Sequence, residues 1–250
     1  MSSPTGSPDQ PKLRNLWVVA PSRGDADSFL LYRHEIRAAL DAFVPTRGMG
    51  LRFVLLNAVD PEQPDPAVKV FSLQQDCGVI DVPAQEWRNG PGAALVYGLR
   101  EIAPAGDDRD WIITVDADGQ DAPEDFPHLL GVLLESEATE LGRRGVVVGR
   151  NIPRSRLYDG IFRLLTGTIP RHRHFAAFTF EGLRSWGWHA YFGASYASAL
   201  LKGTPRVVEV RAVRRPRISG KSRLGFWMRI RETAQMLFPF HTEITERAES

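Results

Sequence analysis

Short apolar runs alternate with helical periodicity through the first 150 residues. LWVVA at 16–20, LRFVLL at 51–56, VKVF at 68–71, WIITV at 111–115 and GVVVG at 145–149 have the length and composition of buried strands. Between them, residues 28–43 and about 91–101 place apolar side chains at helical spacing, and a further helix is expected from Pro123 to about Glu137. A Pro/Asp-rich loop at 60–66 separates the second run from the third. Strands that alternate with helices predict βαβ units, and so an α/β domain with a mostly parallel central sheet and helices on both faces. Ligands of such sheets bind outside the carboxyl ends of the strands, so candidate chemistry belongs just after each apolar run.

Beyond residue 150 the pattern is less regular. A helix is expected over 155–165, then an aromatic-rich stretch at 175–192, a small-residue helix from about 190 to 202 and a strand over 206–213. The segment 214–223, RRPRISGKSR, is too basic for core, and residues 224–238 form a last amphipathic helix. No internal repeat is visible.

Charge changes this picture more than composition does. The chain has 250 residues, 43% hydrophobic and 24% charged, with a formal net charge of +1, as expected of an ordinary globular protein. That near-zero value is a cancellation. Residues 1–140 carry 11 Lys/Arg against 23 Asp/Glu, residues 141–231 carry 19 against 3, and residues 232–250 carry 1 against 4. A basic segment so poor in acids is expected to face an anion. The single Cys77 excludes a disulfide framework, and no run approaches the length of a membrane-spanning helix. Residues 1–14 read as a disordered lead-in rather than a signal peptide, and residues 239–250 as a tail. A cytoplasmic protein is expected, with peripheral contact at the inner face of a membrane left open. The helix at 224–238 sets Leu224, Phe226, Trp227 and Ile230 beside Arg223, Arg229 and Arg231, which suits an anionic bilayer surface and a domain face equally.

The sharpest chemical feature is Val115-Asp116-Ala117-Asp118-Gly119-Gln120 at the end of an apolar run. Carboxylates at i and i+2 on an extended segment point to the same side, so both can reach one cation. A hard divalent ion such as Mg2+ or Mn2+ takes one or two carboxylates together with substrate phosphate oxygens. By itself the tripeptide is more often a strand end with turn-forming residues than a cation site.

Its context is more specific. The strand before it and the sequence Ala122-Pro123-Glu124-Asp125-Phe126-Pro127 after it make residues 111–130 resemble the family 2 glycosyltransferases of GT-A (Rossmann-like) fold, most of all the dolichyl- or polyprenyl-phosphate sugar synthase branch. Other pieces follow in the same order: VVAPSRGD at 18–25, NGPGAAL at 89–95, VVGR at 147–150 and RISGKSRL at 217–224. The likeness covers about residues 15–238, which implies a single GT-A domain there. It implies that Asp116, Asp118 and Gln120 hold the metal on the diphosphate of a nucleotide sugar, with Pro21, Ser22, Asp25, Asn57, Asp60, Gly90, Gly92 and Asp116 binding that donor. It further implies that Arg150, Arg154, Ser155, Arg217, Ser222 and Arg223 meet acceptor or donor phosphates, with Asp118 and Arg150 at the reacting bond.

The sequence also departs from the family. Asn57-Ala58-Val59-Asp60 stands where Asp-Asp-Gly-Ser is usual, the acid after the first strand is displaced to Asp25, and Pro91 replaces a basic residue in the Gly-rich turn. The family's acidic residue is absent from residues 171–178, RHRHFAAF. A phosphate nucleophile, with a second pKa of about 6, needs orientation rather than deprotonation. The expected activity is therefore metal-dependent, inverting transfer of a sugar from a nucleotide diphosphate sugar to a polyprenyl phosphate. Two alternatives stand beside it: a soluble hydroxyl acceptor, with His172 or His174 as base, and a non-catalytic member that binds a nucleotide or an anionic surface. Nucleic acid is not an expected partner, since the basic half lacks an aromatic stacking platform.

Overall fold

A computed structural model describes residues 14–59, 65–136, 139–151, 174–185, 196 and 206–219. A seven-stranded sheet runs through these residues in the order β3-β2-β1-β4-β6-β5-β7. The strands are β1 (Asn15–Ser22), β2 (Gly50–Ala58), β3 (Cys77–Val82), β4 (Trp111–Thr114), β5 (Val146–Asn151), β6 (Ala176–Thr179) and β7 (Val207–Ala212). All neighbouring pairs are parallel except those made by β6, which is inserted antiparallel between β4 and β5.

Alternation along β1 explains the two layers of core. Leu16, Val18 and Ala20 face one side and pack with Phe29, Tyr32 and Ile36 of α1 (Ala26–Ala42) and Leu129, Leu130 and Leu133 of the helix Phe126–Glu135. Trp17 and Val19 face the other side and pack with Leu95, Leu99 and Ile102 of the helix Pro91–Ile102. Because both faces of β1 are covered, its strand reads as a continuous apolar run.

Expected and observed elements part in three places. Residues 68–71, expected as a strand, lie in α2 (Pro66–Ser72). Asp65 Oδ1 caps this helix by accepting from the Ala67 N–H at 2.9 Å, Pro66 opens it, and Phe71 is its buried residue while Val70 is exposed. The third strand is instead β3, which the apolar pattern does not show: it is a half-exposed edge strand interrupted by Gly78 and Asp81. The aromatic-rich stretch begins with β6, only four residues long, followed by the short helix Phe180–Ser185. Short helices Ala84–Trp87 and Glu140–Arg144, numbered here α3 and α6, and a 3-10 turn Val44–Thr46 complete the described elements, with α4 for Pro91–Ile102, α5 for Phe126–Glu135 and α7 for Phe180–Ser185. The helix expected from Pro123 to about Glu137 starts as a 3-10 turn, Pro123–Asp125, and ends at Glu135. The helices expected at 155–165 and 224–238 lie outside the described residues, as does that at 190–202 apart from Tyr196.

The edge opposite the strand ends is held by one buried carboxylate. Asp110 accepts from the main-chain N–H of Asn15 at 2.8 Å, from Asn15 Nδ2 at 3.1 Å, from Trp17 Nε1 at 3.3 Å and from the N–H of Asp107 at 3.2 Å. Asp110→Ala leaves several of these donors without a partner and is expected to lower stability by about 2–3 kcal/mol, since each unsatisfied buried group costs on the order of 1–3 kcal/mol. Urea unfolding is the check, with Asp110→Asn expected to lose less.

Candidate active site

Strand β1 lies between β2 on one side and β4 on the other, so the sheet changes its direction of growth there and leaves a crevice at the carboxyl ends. Ser22, Asn57 and Asp81 stand in register across β1, β2 and β3 at that edge. Asn57 Nδ2 donates to Asp81 Oδ1 at 2.9 Å. The acid missing from position 57 is thus matched by one on the neighbouring strand, which the hydrophobic pattern does not reveal. Pro21 sits one residue before Ser22, and Ser22 Oγ accepts from the Asp25 N–H at 3.1 Å. Gly90, at φ 93°, precedes α4, and Gly92 lies in its first turn.

The loop after β4 carries the Asp-x-Asp pair, and a second segment is zipped along it. The Arg215 N–H donates to the Gln120 carbonyl at 2.8 Å, Ile218 N–H to the Asp118 carbonyl at 3.1 Å, and Ala122 N–H to the Val213 carbonyl at 3.2 Å. Asp125, buried, accepts from the Val213 N–H at 2.6 Å. Gly119 adopts φ 72°, and a Cβ there would meet Ile218 Cδ1 at 2.4 Å, so only glycine fits this close approach. Tyr32 donates to the Asp121 carbonyl at 2.5 Å, tying the loop to α1.

Each predicted side chain of the pair is met by a base. Asp118 Oδ2 lies 2.9 Å from the Arg217 guanidinium, and Gln120 Oε1 accepts from Arg214. Asp116 Oδ1 is 2.6 Å from His174 Nδ1. Sheet register explains this last contact: Thr114 stands opposite Ala176 in the antiparallel β4/β6 pair, which continues to Asp116 opposite His174. Arg215 turns back into the loop, donating to the Gly119 carbonyl at 2.6 Å and pairing with Glu35. Asp60, Arg154, Ser155, Ser222 and Arg223 lie outside the described residues. Arg150 is described by its backbone alone, near the end of β5 beside Arg211 of β7.

A third carboxylate completes the electrostatics. Asp121, fully buried, is raised to about 7, first by burial and then by the charge on Asp116, against the opposing charge of Arg214. Burial and Asp116 also raise Asp118. A divalent cation among these oxygens would relieve the repulsion, and the donor set is the hard one that Mg2+ or Mn2+ takes. Asp116, Asp118 and the Gln120 oxygen are the donors that fit such an ion, and each meets a basic side chain, His174, Arg217 and Arg214 respectively. Among the described residues no group of three or more His, Cys, Asp or Glu side chains is arranged to hold a metal, but an ion completed by substrate phosphates needs no such cage.

The family model of glycosyl transferase family 2 matches residues 62–203, more than half of the chain. The chain belongs to glycosyl transferase family 2. As a family member it is a nucleotide-sugar-dependent glycosyltransferase with the GT-A architecture expected from its sequence. Two solved structures share that fold. Mannosyl-3-phosphoglycerate synthase from Rubrobacter xylanophilus superposes with a TM-score of 0.55 at 14% identity, over 95% of this chain and 76% of that one. Mannosyltransferase PcManGT from Pyrobaculum calidifontis, in complex with GDP-Man and Mn2+, gives 0.51 at 18% identity, over 97% and 68%. A comparison with curated protein sequences finds no match. Among the described residues of this glycosyltransferase no helix is long and apolar enough to cross a membrane.

The raised Asp121 gives a pH signature. Its folded value of about 7 exceeds the ordinary carboxylate value of about 3.9, so its stabilising contribution is complete below about pH 4 and is lost as pH rises through about 7. In EDTA, Asp121→Asn is expected to remove this component, so that unfolding free energy falls less between pH 4 and 7 than in the wild type, as read by urea denaturation across that range.

Proposed function

We propose that this glycosyltransferase moves a sugar, with inversion, from a nucleotide diphosphate sugar to a polyprenyl phosphate, with Mg2+ or Mn2+ on Asp116 and Asp118. The observation that carries the reading is the meeting of two chemistries at one edge: the Asp-x-Asp carboxylates and the guanidiniums of Arg214 and Arg217 lie side by side. When bound, the cation neutralises the charge that grows on the departing nucleoside diphosphate. Asp116, Asp118 and Gln120 would hold it, and His174 orients Asp116. Pro21, Ser22, Asp25, Asn57, Asp60, Gly90 and Gly92 take the nucleoside side, where Asp81 fixes the Asn57 carboxamide.

A phosphate acceptor is supported by the basic segment, since Arg forks match phosphate oxygens in pairs. Arg150, Arg154 and Ser155 are assigned to it, and Arg217, Ser222 and Arg223 to the donor or acceptor phosphates, with the domain taken as residues 15–238. The amphipathic sequence at 224–238 suits delivery of a lipid-linked acceptor at a membrane surface. A soluble hydroxyl acceptor is the second reading, favoured by His174, which reaches the Asp-x-Asp loop and offers a base to an alcohol.

Nucleoside diphosphate release is the test, measured with Mn2+ or Mg2+, a polyprenyl phosphate and a panel of sugar nucleotides. Asp118→Asn is expected to lower kcat/KM by about 10²–10³-fold, the scale of losing one preorganised electrostatic contact. Absence of release from folded protein with every pair overturns the proposal. Turnover of water-soluble alcohols, indifferent to lipid phosphate and lost in His174→Ala, selects the second reading.

A further inference from the structure

Resting on the assignment of Asp116 and Asp118 as cation ligands, we propose that Arg217 is a resident counter-ion that holds Asp118 in the free protein and suppresses metal binding until a diphosphate arrives to receive the guanidinium. Three observations converge. First, both carboxylates of the Asp-x-Asp motif and the Gln120 amide after it are already met by basic side chains of the chain itself: His174 on Asp116, Arg217 on Asp118 and Arg214 on Gln120. Asp118 is therefore paired with a guanidinium before any ion is added.

Second, the Arg217–Asp118 pair is shielded, with side-chain exposures of 23% and 6%. A pair so far removed from water is screened less than a surface pair, and removing one partner leaves the other buried and uncompensated. Third, the pair is held in place by the backbone around it. Ile218 N–H donates to the Asp118 carbonyl, Ile218 packs on Gly119, and Ser219 Oγ lies 2.5 Å from Ser28 Oγ. On the other side, the Arg215 N–H donates to the Gln120 carbonyl, so Arg217 is delivered to Asp118 by neighbours on both sides, not by its own flexible stem.

Asp118 Oδ1 accepts the Gln120 N–H at 3.0 Å, so a divalent ion that takes Oδ2 competes with this guanidinium and is left beside a like charge. A diphosphate removes that penalty, because its oxygens accept the guanidinium in the paired geometry Arg prefers. Bridging of a metal by phosphates couples the two ligands in any such site. The part owed to Arg217 is separate, because it acts on the metal when no nucleotide is present. Arg217 is thus a positioning residue whose effect is read in metal affinity rather than in turnover.

The experiment is titration of the full chain with Mn2+ alone, followed by electron paramagnetic resonance, with no nucleotide present. Arg217→Gln and the more isosteric Arg217→Met are expected to bind Mn2+ about tenfold more tightly than wild type, within the usual range of coupling between sites. Arg217→Lys is expected to stay near wild type. Arg184→Gln, which removes a guanidinium paired with Asp108 and the carbonyls of Ala103 and Gly106, is expected to change nothing. Unchanged or weaker Mn2+ binding in cooperatively melting Arg217→Gln or Arg217→Met overturns the counter-ion role, as does an equal gain in Arg184→Gln. Equal Mn2+ binding by wild type and Asp118→Asn overturns instead the assignment of the metal ligands on which the inference rests.

Discussion

Main-chain pairing between the loop after β4 and the segment after β7 is the constraint on which the active edge depends. Three backbone hydrogen bonds and the Asp125 carboxylate on the Val213 N–H fasten 118–125 to 213–218, although the two segments are about a hundred positions apart in the chain. Backbone contacts of this kind do not care which side chains they carry, so they fix the distance between two sets of charges that attract strongly and would otherwise collapse in many ways. Glycine at 119 permits the approach, and Tyr32 and Asp125 stop the loop from sliding. What remains free to vary is chemistry at a preset spacing.

The acidic and basic halves of the chain find their meaning in that pairing. Asp116, Asp118 and Asp121 crowd together, and their mutual repulsion is visible in the raised values of Asp118 and Asp121. The cost is offset by a segment drawn from the half that has almost no acids. Opposite charges that are distant in sequence thus serve one place in space, and the net charge of the whole chain conceals it.

How much of this was legible beforehand depends on whether a feature is local. Asp116 and Asp118 follow an uninterrupted apolar run, and the parallel sheet follows from alternation alone, so both are readable from neighbouring residues. The helix α2 misleads because VKVF has the composition of a strand, whereas Asp65 and Pro66 decide the matter through a cap and a fixed φ. β3 escapes notice because an edge strand need not be apolar, and β6 because AAFT is too short to show a period. The contact of His174 with Asp116 is legible only through β6, since it is strand register that sets residues 58 apart opposite each other. Asp121 resembles a surface acid until the fold buries it under Tyr32.

The reversed direction of β6 brings two strand ends to one edge. β5 runs towards the active edge and ends at Asn151, and β6 starts from that same edge just after His174. The end of β5 and the start of β6 therefore both stand at the edge where the acceptor is proposed to bind, each held by sheet hydrogen bonds. The positions of β5 and β6 at that edge are set by their pairing with β7 and β4.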